Sequence, residues 1–333
     1  MGIELSRELA AATLRKTAEV GLANAKANLP YIKQTILDLS RKLDAQGPSS
    51  AVVVGAGPSL HRRNPATVLR ESCYSGAVVA CDSALGYCLR NGLVPEYMVT
   101  VDSHPHRMIR WLGDPALKSR PPDDYFIRQD LDPIHQDEVL ANKTIIQLVN
   151  RHAHAIKSIL STSVDPGVTR RCLDAGMDLY WWNPLYDDYD IPGSWSRRVY
   201  ELTGAPCMVT GGNVGSSAFA FTDAVLQVPK VALVGFDLGY APGTHLRNTQ
   251  YYYELLDLLG EKAGDALIEI KNPYTGEQWL TDPTYYWYRE CLLQIISVAR
   301  CETFNCTEGG VLFGDGVKVI DLREFLHEIN EVP

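Results

Sequence analysis

A carboxylate, a phenol and an imidazole follow one apolar run in Val231-Ala-Leu-Val-Gly235-Phe-Asp237-Leu-Gly-Tyr240, with His245 a few residues on. Such a set can orient a base, donate a hydrogen bond to developing charge and exchange a proton near neutral pH. The same histidine can equally be a solvated loop residue. Two small-residue turns supply what an anion needs. Gly55-Ala-Gly57-Pro58-Ser59 follows the apolar run Ala51 to Val54. Glycines at 55 and 57 let backbone N–H groups approach an anionic ligand, and Ser59 can cap a helix or donate to a phosphate oxygen. Pro58 replaces the continuation of the dinucleotide fingerprint and its third glycine is missing, so a tight strand-to-helix turn without ligand is the competing interpretation. The second turn, Gly211-Gly212-Asn213-Val214-Gly215, leads into a helical pattern from Ala218 to Leu226. The two turns are expected to converge on one nucleotide.

Carboxylates end two further apolar runs, in Asp82-Ser83 and in Val99-Thr-Val-Asp102. Asp82, Ser83 and Asp102 can bond ribose hydroxyls or a metal-bound phosphate, with Asp102 the candidate Mg²⁺ ligand; Asp82 can instead cap the next helix. His104 and His106, like His152 and His154, have a spacing that can chelate metal on a strand, but no third histidine stands nearby. Asn305-Cys-Thr-Glu-Gly-Gly310 is either a further site loop or a turn.

These residues need a scaffold that delivers strand ends to one edge. Short apolar runs at Ala51–Val54, Ala77–Cys81, Tyr97–Val101, Tyr125–Ile127, Thr144–Val149, Leu179–Trp182 and Val231–Val234 alternate with helical or irregular segments. That alternation predicts an α/β, Rossmann-like fold, a mostly parallel sheet with helices on both faces, whose ligands sit at the carboxyl ends of the strands. Apolar positions at helical spacing, broken at Asn28-Leu29-Pro30, predict a helical N-terminal segment over 1–48, packed on a catalytic domain over 49–333. The Tyr-, Asp- and Pro-rich stretch 183–205 is either a binding loop or a surface connection. The tract 241–283 has the same character, and Leu322 to Ile329 reads as a closing helix.

With 40 acidic against 31 basic side chains and a net charge of −9, the chain is a poor general ligand for nucleic acid or anionic membranes. No apolar stretch long enough to span a bilayer and no export signal is evident, so a cytoplasmic protein is expected. Eight cysteines without a CxxC spacing read as reduced core residues.

Taken in order, Gly55-Ala-Gly-Pro-Ser-Leu60, Ala80-Cys-Asp82-Ser83, Val94-Pro-Glu-Tyr97 leading to Asp102, Gly211-Gly-Asn213, Gly235-Phe-Asp237-Leu-Gly-Tyr240 with His245, and Asn305 to Gly310 resemble the MptE-like domain family over roughly residues 20 to 325. That family includes motility-associated-factor (Maf) glycosyltransferases that modify flagellin, and its nucleotide site is similar to that of bacterial sialyltransferases using CMP-activated sugars. The resemblance implies a nucleotide-binding transferase: Gly55, Gly57, Pro58 and Ser59 beside the nucleotide, and Asp237 with His245 near the transferred sugar. Backbone N–H groups of both turns, with Tyr240, would hold the phosphate, His245 would deprotonate an acceptor hydroxyl on a glycan or protein, and Asp237 would orient it or bind sugar hydroxyls. The donor is expected to be a CMP-type nucleotide sugar, plausibly a nonulosonic acid, with no tightly bound cofactor. Flagellin-modifying members carry additional flanking domains, so the acceptor need not be flagellin. The family's other named branch, 6-hydroxymethylpterin diphosphokinases, transfers pyrophosphate from ATP with Mg²⁺ held by an acidic cluster. Here Glu96 follows Pro95 and only Asp102 closes that strand, a departure that favours the glycosyltransferase branch. A nucleotide-binding protein without catalysis is the third alternative.

Overall fold

In the computed structural model, which describes residues 17–43, 47–103, 110–118 and 138–330, the chain builds one large parallel sheet. Its strands are β1 (Ser50–Val54), β2 (Ala77–Cys81), β3 (Tyr97–Thr100), β4 (Lys157–Ser161), β5 (Asp178–Pro184), β6 (Cys207–Met208), β7 (Lys230–Val234), β10 (Glu302–Asn305) and β11 (Val317–Val319). Two more strands, β8 (Ile268–Lys271) and β9 (Gln278–Thr281), form a separate antiparallel hairpin. The sheet order is β11-β10-β7-β1-β2-β3-β4-β5-β6, all neighbours parallel. The strands step outward from β1 to β6, then β7 returns to the other side of β1 and the winding reverses. β1 is buried along its whole length, as its unbroken Ala-Val-Val-Val composition requires of a strand covered on both faces.

The helices are α1 (17–28), α2 (Ile36–Lys42), α3 (Ser59–Arg63), α4 (Pro65–Glu71), α5 (Asp82–Arg90), α6 (Glu138–His152), α7 (Pro166–Ala175), α8 (Trp195–Thr203), α9 (Val214–Phe221), α10 (Tyr252–Leu259), α11 (Pro283–Ser297) and α12 (Leu322–Asn330). The break expected at Asn28-Leu29-Pro30 is a 3₁₀ turn between α1 and α2. α9 runs on through a single π-turn and lies across β1, β2 and β3. The main core combines the valines of β1 and β7 with Phe219, Phe221, Phe304 and Phe325. A second cluster, around Trp181, Leu160 and Val149, fills the β4–β5 side.

One expectation changes. Thr144–Val149 is not a strand but the middle of α6: Ala141, Ile145 and Val149 are buried at intervals of a helical turn, and that periodicity outweighs the β-branched run. The strand of that region is β4. Tyr125–Ile127 and the pair His104 and His106 lie outside the described residues. The N-terminal segment packs into the sheet domain itself: Ile36 and Leu39 join the main core, Trp181 donates its N–H to the Gln34 carbonyl, and Thr35 bridges to Trp181. α1 lies at the carboxyl ends of β3 and β4. Asn24 Nδ2 donates to the Ser163 carbonyl at 2.9 Å and the Ser103 carbonyl at 3.4 Å, and the buried Asn28 Nδ2 donates to those of Thr162 and Val164 at 3.0 and 2.8 Å.

Candidate functional site

The winding reverses between β1 and β7, and in sheets of this kind ligands bind outside the carboxyl ends of the strands at that point. Both strands leave it through glycine. A Cβ on Gly235 (φ +72°) would lie 2.5 Å from the Gly55 carbonyl oxygen, and one on Gly55 2.6 Å from that of Gly235, so the two backbones touch and neither position admits a side chain. Gly55 N donates to the Val234 carbonyl at 2.8 Å and Gly57 N to the Gly235 carbonyl at 2.9 Å.

The next donors meet the chain's own acid. Ser59 Oγ and N donate to Asp237 Oδ2 at 2.6 and 3.2 Å, and a Cβ on Gly57 would overlap the same oxygen. Leu60 N turns back to the Gly57 carbonyl at 3.1 Å. The amides of Gly55, Gly57, Ser59 and Leu60 are therefore spent inside the fold, and Pro58 has none to give. The Asp237 carboxylate thus takes the Ser59 donors that were expected to face a phosphate over 55–59.

Asp237 is fully buried, and burial pushes its carboxyl up to about 6 against the downward pull of the Ser59 bonds and the Arg62 charge. Its second oxygen, Oδ1, is buried without a hydrogen bond and faces Arg62 Nη2 at 3.7 Å. The Arg62 guanidinium stacks on the buried Trp279 ring, 4.9 Å from its centroid. The loop after β10 closes over this group. Thr307 Oγ1 accepts from Phe236 N at 3.0 Å, Val311 N donates to the Asp237 carbonyl at 2.8 Å, and a Cβ on Gly310 would strike the Asp237 backbone. Asn305 braces the loop by donating to the Leu312 carbonyl and accepting from Thr307 N. Leu238 (φ +47°) and Glu308 (φ +56°) are both left-handed here, a conformation that costs a non-glycine residue about 1–2 kcal/mol.

The second turn lies across one aromatic ring from the first. Phe236 comes within 3.1 Å of the Cβ position of Gly55 and 3.0 Å of that of Gly215, so both turns flank its side chain. Gly211 and Gly212 are left-handed (φ +56° and +81°), and Gly212 lies against Trp287 and Tyr288 of α11. Asn213 caps α9 by accepting from Ser216 N at 2.9 Å. The N–H groups of Val214 and Gly215 belong to the first helical turn, where no internal partner is available.

The Tyr240 hydroxyl is engaged within the fold, and His245 lies at the surface. The Tyr240 hydroxyl donates to Asp282 Oδ2 and accepts from Gln250 N at 2.8 Å, so the phenol is committed. Burial, with Asp282 beside it, pushes its pKa far up. Asp282 caps α11 through Thr284 N and Tyr285 N, and burial raises its carboxyl to about 6. His245 is exposed, and its Nδ1 accepts from Arg247 N at 3.2 Å. The polar partners of Asp237 are Ser59 and Arg62, so the expected Asp237–His245 orienting pair is not formed.

Asp82 is the first residue of α5 at the end of β2, accepting from Ser83 N at 2.6 Å; the N-cap position itself is Cys81. Burial pushes its carboxyl up to about 7, and the charge of Asp102, at the end of β3, adds to the rise. The two acids do converge. Two carboxylates suffice for a Mg²⁺ that takes its remaining ligands from water and substrate phosphates, and among the described residues no cluster of three metal-ligating side chains exists. Glu96 stands at the opposite, amino end of β3, paired with Lys157 at 3.2 Å, and belongs to no such site. His152 and His154 lie at the end of α6 and in the turn after it. All eight cysteines are free thiols, five of them buried. Among the described residues no helix is long and apolar enough to cross a membrane.

Sequence reasoning missed Arg62, Trp279, Phe236 and Asp282. Arg62 carried a usable signal, the basic run His61-Arg-Arg63 directly behind the Gly-Pro-Ser turn; Trp279 and Asp282 are brought in by the β8–β9 hairpin, which no local pattern connects to the sheet edge.

The fold is that of a doubly wound, Rossmann-like α/β protein whose winding reverses between β1 and β7. Residues 23–113 match the family model described as 6-hydroxymethylpterin diphosphokinase MptE-like, so the resemblance read from the motifs stands. The chain is also similar to the solved structure of the MAf glycosyltransferase from Magnetospirillum magneticum AMB-1, with a TM-score of 0.55 and 17% identity over 92% of this chain. The match covers 38% of that structure's chain, so this protein spans little more than a third of it. No curated protein matches.

Proposed function

We propose that the protein is a glycosyltransferase that takes its sugar from a nucleotide-activated donor of CMP type, bound at the β1/β7 crevice. The observation that carries this reading is the coincidence of the topological reversal with both glycine turns, on either side of Phe236. The similarity to the MAf glycosyltransferase over most of the chain supports it. A sugar leaving from phosphate departs as a stable anion, so the site must hold developing negative charge and accept a proton from the acceptor hydroxyl. With the first turn closed by Asp237, the free amides of Val214 and Gly215 become the backbone donors.

His245 serves better as a donor than as a base. An imidazole whose Nδ1 accepts the Arg247 N–H carries a proton on Nε2 and so has a donor to offer. In this reading it donates to the departing phosphate. Thermal shift with CMP, UDP and ATP, each with Mg²⁺ and with chelator, tests the assignment. Stabilisation by CMP in chelator is expected; a response to Mg·ATP alone would overturn it in favour of the second reading.

That second reading is pyrophosphate transfer from ATP, and the convergence of Asp82 and Asp102 within the matched segment 23–113 favours it. These two side chains would hold the Mg²⁺, whose chemistry is to neutralise the phosphate charge as it shifts.

A further inference from the structure

We propose that Arg62 is the phosphate-binding residue of this crevice, a planar hook that receives the nucleotide's phosphate in place of the Gly-Pro-Ser turn. The inference rests on the crevice being a nucleotide site. It follows from an imbalance among the groups already there. The anion position on the turn is filled by Asp237 Oδ2, so Ser59 has no donor to spare. Arg62, three residues on, makes no hydrogen bond to any described residue; its partners are the Trp279 face and, at 3.7 Å, Asp237 Oδ1. A guanidinium carries five N–H donors in a fork that matches phosphate oxygens.

The side chain is also held in advance. Stacking on Trp279 fixes its plane, and Gly309 keeps the slot open: a Cβ there would come within 2.8 Å of the Trp279 ring and 3.2 Å of Arg62 Nη2. About a third of the Arg62 side chain, 35%, remains exposed at the mouth, so donors turned away from Asp237 can reach a ligand. The other charges nearby are Arg63 and Glu308, which pair at 3.6 Å, Glu277, whose Oε2 accepts from Trp279 Nε1 at 3.2 Å, and Asp237, buried beneath Arg62. An incoming phosphate therefore meets in Arg62 a guanidinium whose charge is shared with Asp237 but whose N–H fork is not engaged by it in a hydrogen bond. Buried Asp237 Oδ1, left without a hydrogen bond, positions Arg62 by charge alone.

The test is calorimetric titration of the full chain with CMP, ATP, cytidine, adenosine and inorganic phosphate, using wild type, Arg62→Met and Arg62→Lys. Met keeps the packing on Trp279 without donors; Lys keeps the charge without the fork. The expected result is a loss of about 10- to 100-fold in CMP or ATP affinity in the Met variant, the scale of a charged hydrogen bond, with partial recovery in Lys and nucleoside affinity unchanged. Equal nucleotide affinity in wild type and both variants would overturn the proposal, as would nucleosides weakened as much as nucleotides. If the Met variant fails to fold, nucleotide affinity undiminished in the Lys variant overturns it and selective loss supports it. Should wild type bind no nucleotide, the glycosyltransferase and pyrophosphate readings both fall. Inorganic phosphate then decides on Arg62: a response lost in the variants supports it, and none in wild type refutes it.

Discussion

Asp82→Asn should make the protein more stable at alkaline pH, by a margin that narrows steadily as the pH falls into mild acid. Asp82 is 3% exposed, and its carboxyl, ordinarily near 3.8, is raised to about 7 by burial. The folded state thus holds a proton that the unfolded chain has released, and stability falls as pH rises from the unfolded value through the folded one. A rise of about three units corresponds to about 4 kcal/mol in all, of which about 3 kcal/mol is lost between pH 5 and pH 8. Asparagine cannot ionise, yet its carbonyl can keep the bond from Ser83 N. The stability margin of the variant over wild type should therefore widen by about 3 kcal/mol between pH 5 and pH 8. Urea denaturation midpoints of both proteins at half-unit steps supply the comparison, and the raised carboxyls of Asp237 and Asp282 cancel because they are common to both. Parallel curves across that interval would show that Asp82 ionises freely in the fold and would refute the reasoning.

Gly57→Ala should cost about 1–3 kcal/mol, since the new methyl overlaps Asp237 Oδ2 and must break the Ser59–Asp237 contact; a shifted denaturation midpoint would register it. Asn28→Ala should cost about 2–3 kcal/mol because it strands two buried carbonyls and the Thr169 hydroxyl, whereas an exposed control such as Leu140→Ala should change little. For His245, the glutamine variant keeps a donor where alanine has none, so transfer by His245→Gln should exceed transfer by His245→Ala with nucleotide affinity similar in both; equal loss in the two would favour the base role instead.

The chain shows its plan wherever one local pattern is enough. Ala51–Val54 and Val231–Val234 read as buried strands and are so, whereas the glycines that end them, read as room for an anion at the first turn, serve the Gly55–Gly235 backbone contact. The helical break at Asn28-Leu29-Pro30 was equally plain. What stayed hidden depends on partners far away in sequence. Asp237 looks like a free acid at a strand end until Ser59, 178 residues earlier, is brought beside it. Tyr240 looks like an available phenol until Asp282 arrives on α11. Thr144–Val149 misled for a different reason: its β-branched run is local, while the i, i+4 burial that makes it a helix is set by tertiary packing.

The amides of Asn24 and Asn28 find their acceptors 134 to 139 residues downstream. During synthesis α1 must therefore wait while that length of chain emerges, about 10–30 s at ordinary translation rates, before these three acceptors exist. Its apolar side stays uncovered for that interval, and closure by contacts this distant is slow in itself. The protein's most exposed moment thus comes early in its life, before the fourth strand is made.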